Sequence, residues 1–232
     1  LRRMSCENHF VVPQSASRLT HLSLYKVRSG NLDPPLSSIS VELPRLLELR
    51  LFSCEPGEIL PTLSTPALQT LVAYNNWTGV RFRSKPPLYT ELRELQWSDV
   101  GPEPCFQDIL ELSPNLTRYS NYVLGKEDEL DLWAIDDPAT ILGIVSQGLE
   151  SKNVCSVLRE VSLDVASGQE IDRLVTAVPS IQLLRVLRDP REGSDSEEKQ
   201  TETSMLEELK RKVDWEMGRG PWRSGGVAVN GS

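Results

Sequence analysis

Paired cysteines, histidines and clustered positive charge are what this chain has least of. Its four cysteines, Cys6, Cys54, Cys105 and Cys155, are scattered without a Cys-x-x-Cys pair, and His9 and His21 are its two histidines. Zinc sites and disulfide frameworks need closely spaced ligands or a dense set of cysteines, so neither a metal site nor a disulfide scaffold is expected. A Ser or Cys nucleophile would have few bases to activate it, and no Gly-rich phosphate loop or nucleophile motif occurs. No catalytic residue, no cofactor and no enzymatic activity are therefore expected. Twenty-five Lys and Arg against 33 Asp and Glu leave a formal net charge of -8. Binding a phosphate backbone needs clustered cations, and the dense basic group Arg81, Arg83 and Lys85 reads as a loop face, so no nucleic-acid partner is expected. No apolar run approaches the ~20 residues of a membrane-spanning helix, and no signal peptide is visible. Three Asn-x-Ser/Thr sequons, at Asn76, Asn115 and Asn230, would matter only in a secreted protein. Free cysteine in an apolar slot, as at Cys6, fits the reducing cytoplasm or nucleus.

What is abundant is leucine at a fixed spacing. Leu-x-x-Leu-x-Leu is set by Leu19, Leu22 and Leu24, repeated by Leu46, Leu49 and Leu51, and carried by Leu92, Leu95 and Trp97. Further copies are Leu68, Leu71 and Ala73, then Leu158, Val161 and Leu163, then Ile181, Leu184 and Val186. Weaker ones start at Leu1, with Met4 and Cys6, and at Leu116, with Tyr119 and the exception Asn121. The starts lie about 18 to 27 residues apart, with one gap about twice as long, the period of leucine-rich repeats. Within each copy apolar residues alternate, so a short strand turns two side chains inward and its neighbours outward. One such strand cannot bury its apolar face alone, whereas stacked copies share a continuous core. The expected fold is α/β, an irregular leucine-rich-repeat solenoid with a curved parallel sheet backed by short helices and loops.

Between strands, Phe106, Ile109 and Leu110 predict a short helix before Pro114. Ser167 and Glu170 have capping-box spacing ahead of a helix carrying Ile171, Leu174, Val175 and Val178 to Pro179. Three prolines between Glu55 and Pro66 predict a loop or short turn. In the long gap, Asp137-Pro138 opens a helix with Ile141, Leu142, Val145 and Leu149 on its core face, after an acidic connecting stretch, 126–131. Cys54 and Asn76 occupy the slot in which such repeats satisfy turn backbone groups. The repeat domain is expected over 1–187, an acidic disordered linker over 188–203, an amphipathic helix over 204–217 and a flexible tail over 218–232. The helix, with Met205, Leu206, Leu209 and Val213 on one side, is read as a cap for the open end, or as a separate docking helix.

The run Leu43-Pro44-Arg45-Leu46-Leu47-Glu48-Leu49-Arg50-Leu51 resembles the repeats of fungal F-box proteins. So do 109–117, Ile-Leu-Glu-Leu-Ser-Pro-Asn-Leu-Thr, and Val178-Pro179-Ser180-Ile181. The resemblance covers residues 1–187 and is one of repeat style. In that family an F-box ahead of the repeats docks a cullin-type ubiquitin ligase through a small adaptor, and the repeats select the substrate. The F-box is not in this chain, which starts within a repeat, so an upstream segment is expected. The resemblance implies that this chain is the substrate-selecting half of a ubiquitin ligase receptor. The alternative is a stand-alone repeat scaffold or regulator unconnected to ubiquitination.

Selection would occur on the concave face, where outward side chains of successive strands fall into columns. The column after the last inward residue reads Glu7, Tyr25, Phe52, Tyr74, Ser98, Tyr122, Asp164 and Leu187, four of eight aromatic in a chain that is 6% aromatic. Aromatics give large contact area for little lost side-chain freedom and anchor interfaces. Flanking columns add Arg50, Gln96 and Arg118 among other polar residues, the rim expected around such anchors. The expected protein-binding residues are thus Tyr25, Phe52, Tyr74, Tyr122, Arg50, Gln96 and Arg118. The competing explanation is that the aromatics pack along neighbouring strands and stabilise the sheet.

Overall fold

The computed structural model describes residues 2–7, 16–27, 40–74, 87–98, 104–121, 157–163, 168–186, 203–204, 207–208 and 211–217. The chain is mixed α/β. Strands β1 (Arg3–Glu7), β2 (His21–Tyr25), β4 (Glu48–Phe52), β6 (Thr70–Tyr74), β7 (Glu94–Ser98), β8 (Arg118–Asn121), β9 (Glu160–Leu163), β10 (Leu183–Val186) and β11 (Asp214–Met217) form one nine-stranded sheet. Each pairs in parallel with the strand next in this order, so the sheet grows along the chain. Two short bridges, β3 (Val41–Glu42) and β5 (Leu63–Ser64), pair in parallel apart from it.

Register explains the core. Leu22, Leu49, Leu71, Leu95, Tyr119, Val161 and Leu184 are partners across successive strands, and all are buried. A second column, Leu24, Leu51, Ala73 and Trp97, runs two residues further along the strands and is buried as well. The first leucine of each copy, at 19, 46, 68, 92, 116 and 158, lies before its strand and is also buried. Covering these columns removes each strand's apolar face from water at roughly 25 cal/mol per Å², the main favourable term in the fold.

Two local devices recur. The carbonyls of Arg2, Thr20, Leu47, Gln69, Arg93, Thr117 and Arg159 each accept two successive N–H groups from the entry of the next strand, at 2.8–3.1 Å. Ahead of the strands, the N–H groups of Leu19, Leu46, Leu68, Leu92, Leu116 and Ile181 donate to Ala16, Leu43, Thr65, Tyr89, Ser113 and Val178, three residues back. In four of those turns the second residue is Pro44, Pro66, Pro114 or Pro179. Proline's fixed φ suits that turn position. In those four turns proline therefore shapes the entry into the next strand as well as ending the preceding element.

Elements behind the sheet follow the apolar spacing. Helix α2 (Pro104–Leu112) buries Ile109 and Leu110, and α3 (Gly168–Ala177) buries Ile171, Leu174 and Val175. The proline-rich stretch forms the one-turn helix α1 (Pro56–Ile59) and a 3-10 turn (Leu60–Thr62) ahead of β5, with no longer helix.

The helix expected over 204–217, and the end of the strands at 187, need correction. Helical backbone occurs at Thr203–Ser204 and Glu207–Glu208, but the chain turns at Arg211–Lys212, and β11 pairs with β10. From Val213 to Met217 apolar and polar residues alternate, which suits a strand, and the edge of β10 offers unpaired backbone groups that favour one. Val213 is buried in the core, and Lys212 Nζ lies 2.8 Å from Asp172 Oδ1 on α3. The acidic stretch at 126–131, the helix expected after Asp137, Arg81, Arg83, Lys85 and the tail at 218–232 lie outside the described residues, as does the linker at 188–203 except Thr203.

Candidate functional site

Alternation along each strand sends a second set of side chains away from the core. At the strand starts these are His21, Glu48, Thr70, Glu94, Arg118, Glu160 and Leu183, and at the middle Ser23, Arg50, Val72, Gln96, Ser120, Ser162 and Arg185. Parallel, in-register pairing places each set in a row across the sheet.

The aromatic column is seen at two adjacent strands. The rings of Tyr25 and Phe52 stack with centroids 4.7 Å apart and planes 10° from parallel. Tyr25 is 37% exposed and Phe52 partly covered. The rings do pack along neighbouring strands, and the pair still presents an open edge. Backbone register puts Tyr74 beside Phe52; Tyr122 lies outside the described residues. Where the chain leaves β2 and β4, Lys26 and Ser53 take left-handed φ of 55° and 51°. The same uncommon backbone state thus follows each ring of the stack. Behind it the Cys54 thiol is buried 3.3 Å from the carbonyl oxygens of Leu24 and Phe52, bridging the two strand exits. Burial pushes that thiol's pKa up. This is the backbone-satisfying role expected of Cys54.

At the other end of the same strands the face is polar. His21 Nδ1 lies 2.9 Å from Thr20 Oγ1, and its Nε2 lies 3.6 Å from Glu48 Oε2. The second Glu48 oxygen accepts from Arg50 Nε. Arg50 is exposed, so it and Glu48 form an open ion pair of small energetic weight. His21 and Cys6 sit on opposite faces, with Cys6 packed against the core.

Further along, Gln96 Nε2 donates to Glu94 Oε1 at 2.6 Å, and Arg118 Nε lies 3.4 Å from Glu160 Oε1. Arg50, Gln96 and Arg118 thus share the outer face with Tyr25 and Phe52, spread over β2 to β8. Between the longer side chains, Val72, Ser120 and Ser162 are buried although they point away from the core. Alternation alone predicts that they are open; their burial depends on bulkier neighbours on adjacent strands, which no single repeat reveals. The Ser120 hydroxyl and Glu160 Oε2 are closed to solvent and lack a hydrogen-bond partner.

Asn115 Nδ2, in one of the sequons, donates to Thr90 O at 2.8 Å. Among the described residues there is no group of three or more His, Cys, Asp or Glu able to hold a metal ion, and no helix long and apolar enough to cross a membrane. No protein-family model and no curated protein matches this chain.

Proposed function

We propose that the chain is an irregular leucine-rich-repeat solenoid whose outer, concave sheet face binds a protein partner. The observation that carries this reading is the Tyr25–Phe52 stack, an aromatic pair with Tyr25 exposed and Phe52 partly so, on a sheet face whose other described outward side chains are mostly polar or charged. Rigid aromatics ringed by polar side chains are the usual anatomy of a protein-binding patch. Stacking is worth about 0.5–1.5 kcal/mol beyond burial, so the pair holds its shape before a partner arrives. On the resemblance of its repeats to those of fungal F-box proteins, the chain acts as the substrate-selecting part of a ubiquitin ligase receptor, in the cytoplasm or nucleus. An F-box ahead of Leu1 supplies the link to the cullin adaptor.

The test is affinity capture with the full-length gene product, with this chain, and with this chain carrying Tyr25→Ala and Phe52→Ala, each read by mass spectrometry. Adaptor is expected with the full-length protein only. Substrate is expected with both wild-type forms and not with the double variant, whose melting temperature stays within a few degrees of wild type. Partners captured without any adaptor would replace the ligase reading with that of a scaffold. A collapse in melting temperature would return the aromatic pair to a structural role.

A further inference from the structure

Strand β1 pairs with β2 on one side, and among the described residues no strand pairs with its other side. The Arg2 carbonyl faces β2, where it accepts from the N–H groups of Thr20 and His21. Backbone groups point alternately to the two edges of a strand. Those of Met4 and Cys6 therefore face β2 as well, and the N–H and C=O groups of Arg3, Ser5 and Glu7 face the other edge. Core packing is incomplete at the same place. Met4 and Cys6 are half-buried against the core, whereas Leu22 and Leu24, their partners in register, are 1% and 0% exposed. Such an edge is a template for a further strand.

We propose that this edge is a dimer interface, at which β1 of a second copy of the chain pairs antiparallel about a two-fold axis through Ser5. Read in opposite directions, Arg3-Met4-Ser5-Cys6-Glu7 complements itself. Arg3 comes opposite Glu7 of the second copy and Glu7 opposite its Arg3, and opposite charges at directly facing positions favour the pairing. On the core side Met4 comes opposite Cys6, so the half-buried ends of both cores meet. The facing pairs Arg3–Glu7 and Ser5–Ser5 consist of residues whose backbone groups point to this edge, as pairs that exchange both N–H···O bonds require. Slipping the strands by two residues keeps those bonds but parts the opposite charges, so charge specifies the register. The two-fold axis makes the interface self-complementary and closed. With that axis perpendicular to the sheet, the dimer joins two sheets into one and sets both Tyr25–Phe52 stacks on a single outer face. A partner with two binding segments then gains from engaging both.

The test is sedimentation velocity over a wide range of concentrations, with this chain and with the full-length gene product. A monomer–dimer equilibrium is expected for both. Arg3→Glu should weaken dimerisation about tenfold or more, since symmetry sets like charges opposite each other twice. Glu7→Arg should do the same. The double variant Arg3→Glu with Glu7→Arg should return the wild-type dimer constant, because the exchange rebuilds both pairs, and that recovery separates a lost contact from a damaged fold. A monomer at every concentration, a dimer indifferent to both single substitutions, or a double variant as weak as either one would overturn the interface. A dimer of this chain with a monomeric full-length product would overturn it too, and would give the β1 edge to a strand of the same polypeptide. The interface stands whether or not the outer face binds a partner, so its failure leaves that reading untouched.

Discussion

At the scale of single residues, two buried phenols set a measurable dependence on pH. Tyr119 takes an inward leucine slot on β8, and Tyr89 opens the turn into β7; burial pushes both far above the ordinary tyrosine value of 10. Below pH 10 folded and unfolded chains both keep these protons, so the phenols add no pH dependence. As pH rises past 10 the unfolded chain releases them while the folded chain holds them, and stability falls by up to about 1.4 kcal/mol per pH unit for each. Alkaline melting curves should therefore steepen above pH 10, and Tyr89→Phe should reduce that slope. The same substitution should raise stability near pH 7 by up to about 1–3 kcal/mol, because the Tyr89 hydroxyl is buried without a partner. A lower melting temperature for Tyr89→Phe at neutral pH would show that the hydroxyl is satisfied. Inward positions such as Leu49 and Leu95 were legible in the sequence because alternation is a local property. The unmet hydroxyls of Tyr89 and Ser120 were not, since satisfaction depends on residues brought near from other turns and strands.

At the scale of elements, apolar spacing located β1, β2, β4, β6, β7, β8, β9 and β10 and the helices α2 and α3, each from residues that share one face. It missed β11. There the helical spacing of Met205, Leu206, Leu209 and Val213 outweighed the shorter alternation from Val213 to Met217, although a strand paired to β10 satisfies a row of backbone groups that a helix leaves open. It also missed the β3–β5 bridges, which are too short for periodicity to register. The role of β11 gives a prediction: ending the chain before residue 203 removes the strand, uncovers the β10 edge and takes Val213 out of the core. Exposed edges recruit further strands. The shortened chain should melt at a lower temperature and self-associate in light scattering; unchanged melting with a monodisperse monomer would mean that β11 contributes nothing to the sheet. Replacing Lys212 alone should do little, because its contacts with Asp172 and Glu208 are exposed.

At the scale of the whole molecule, parallel strands added in chain order put core columns on one side of the sheet and a continuous face on the other. The sequence made that face legible as columns, including Tyr25, Phe52, Arg50, Gln96 and Arg118, because register follows from the spacing of leucines. Which outward residues stack, bury or pair was not legible, since curvature and crowding are set jointly by neighbouring strands. Binding of a protein partner at this outer face is checked by photo-crosslinking in cells, with p-benzoylphenylalanine placed at Tyr25 and, in a second protein, at Arg173, an exposed residue on α3 behind the sheet. A discrete crosslinked protein from position 25 and none from position 173 is the expected result. Equal crosslinking from both positions, or a product from position 173 alone, would contradict binding at the outer face.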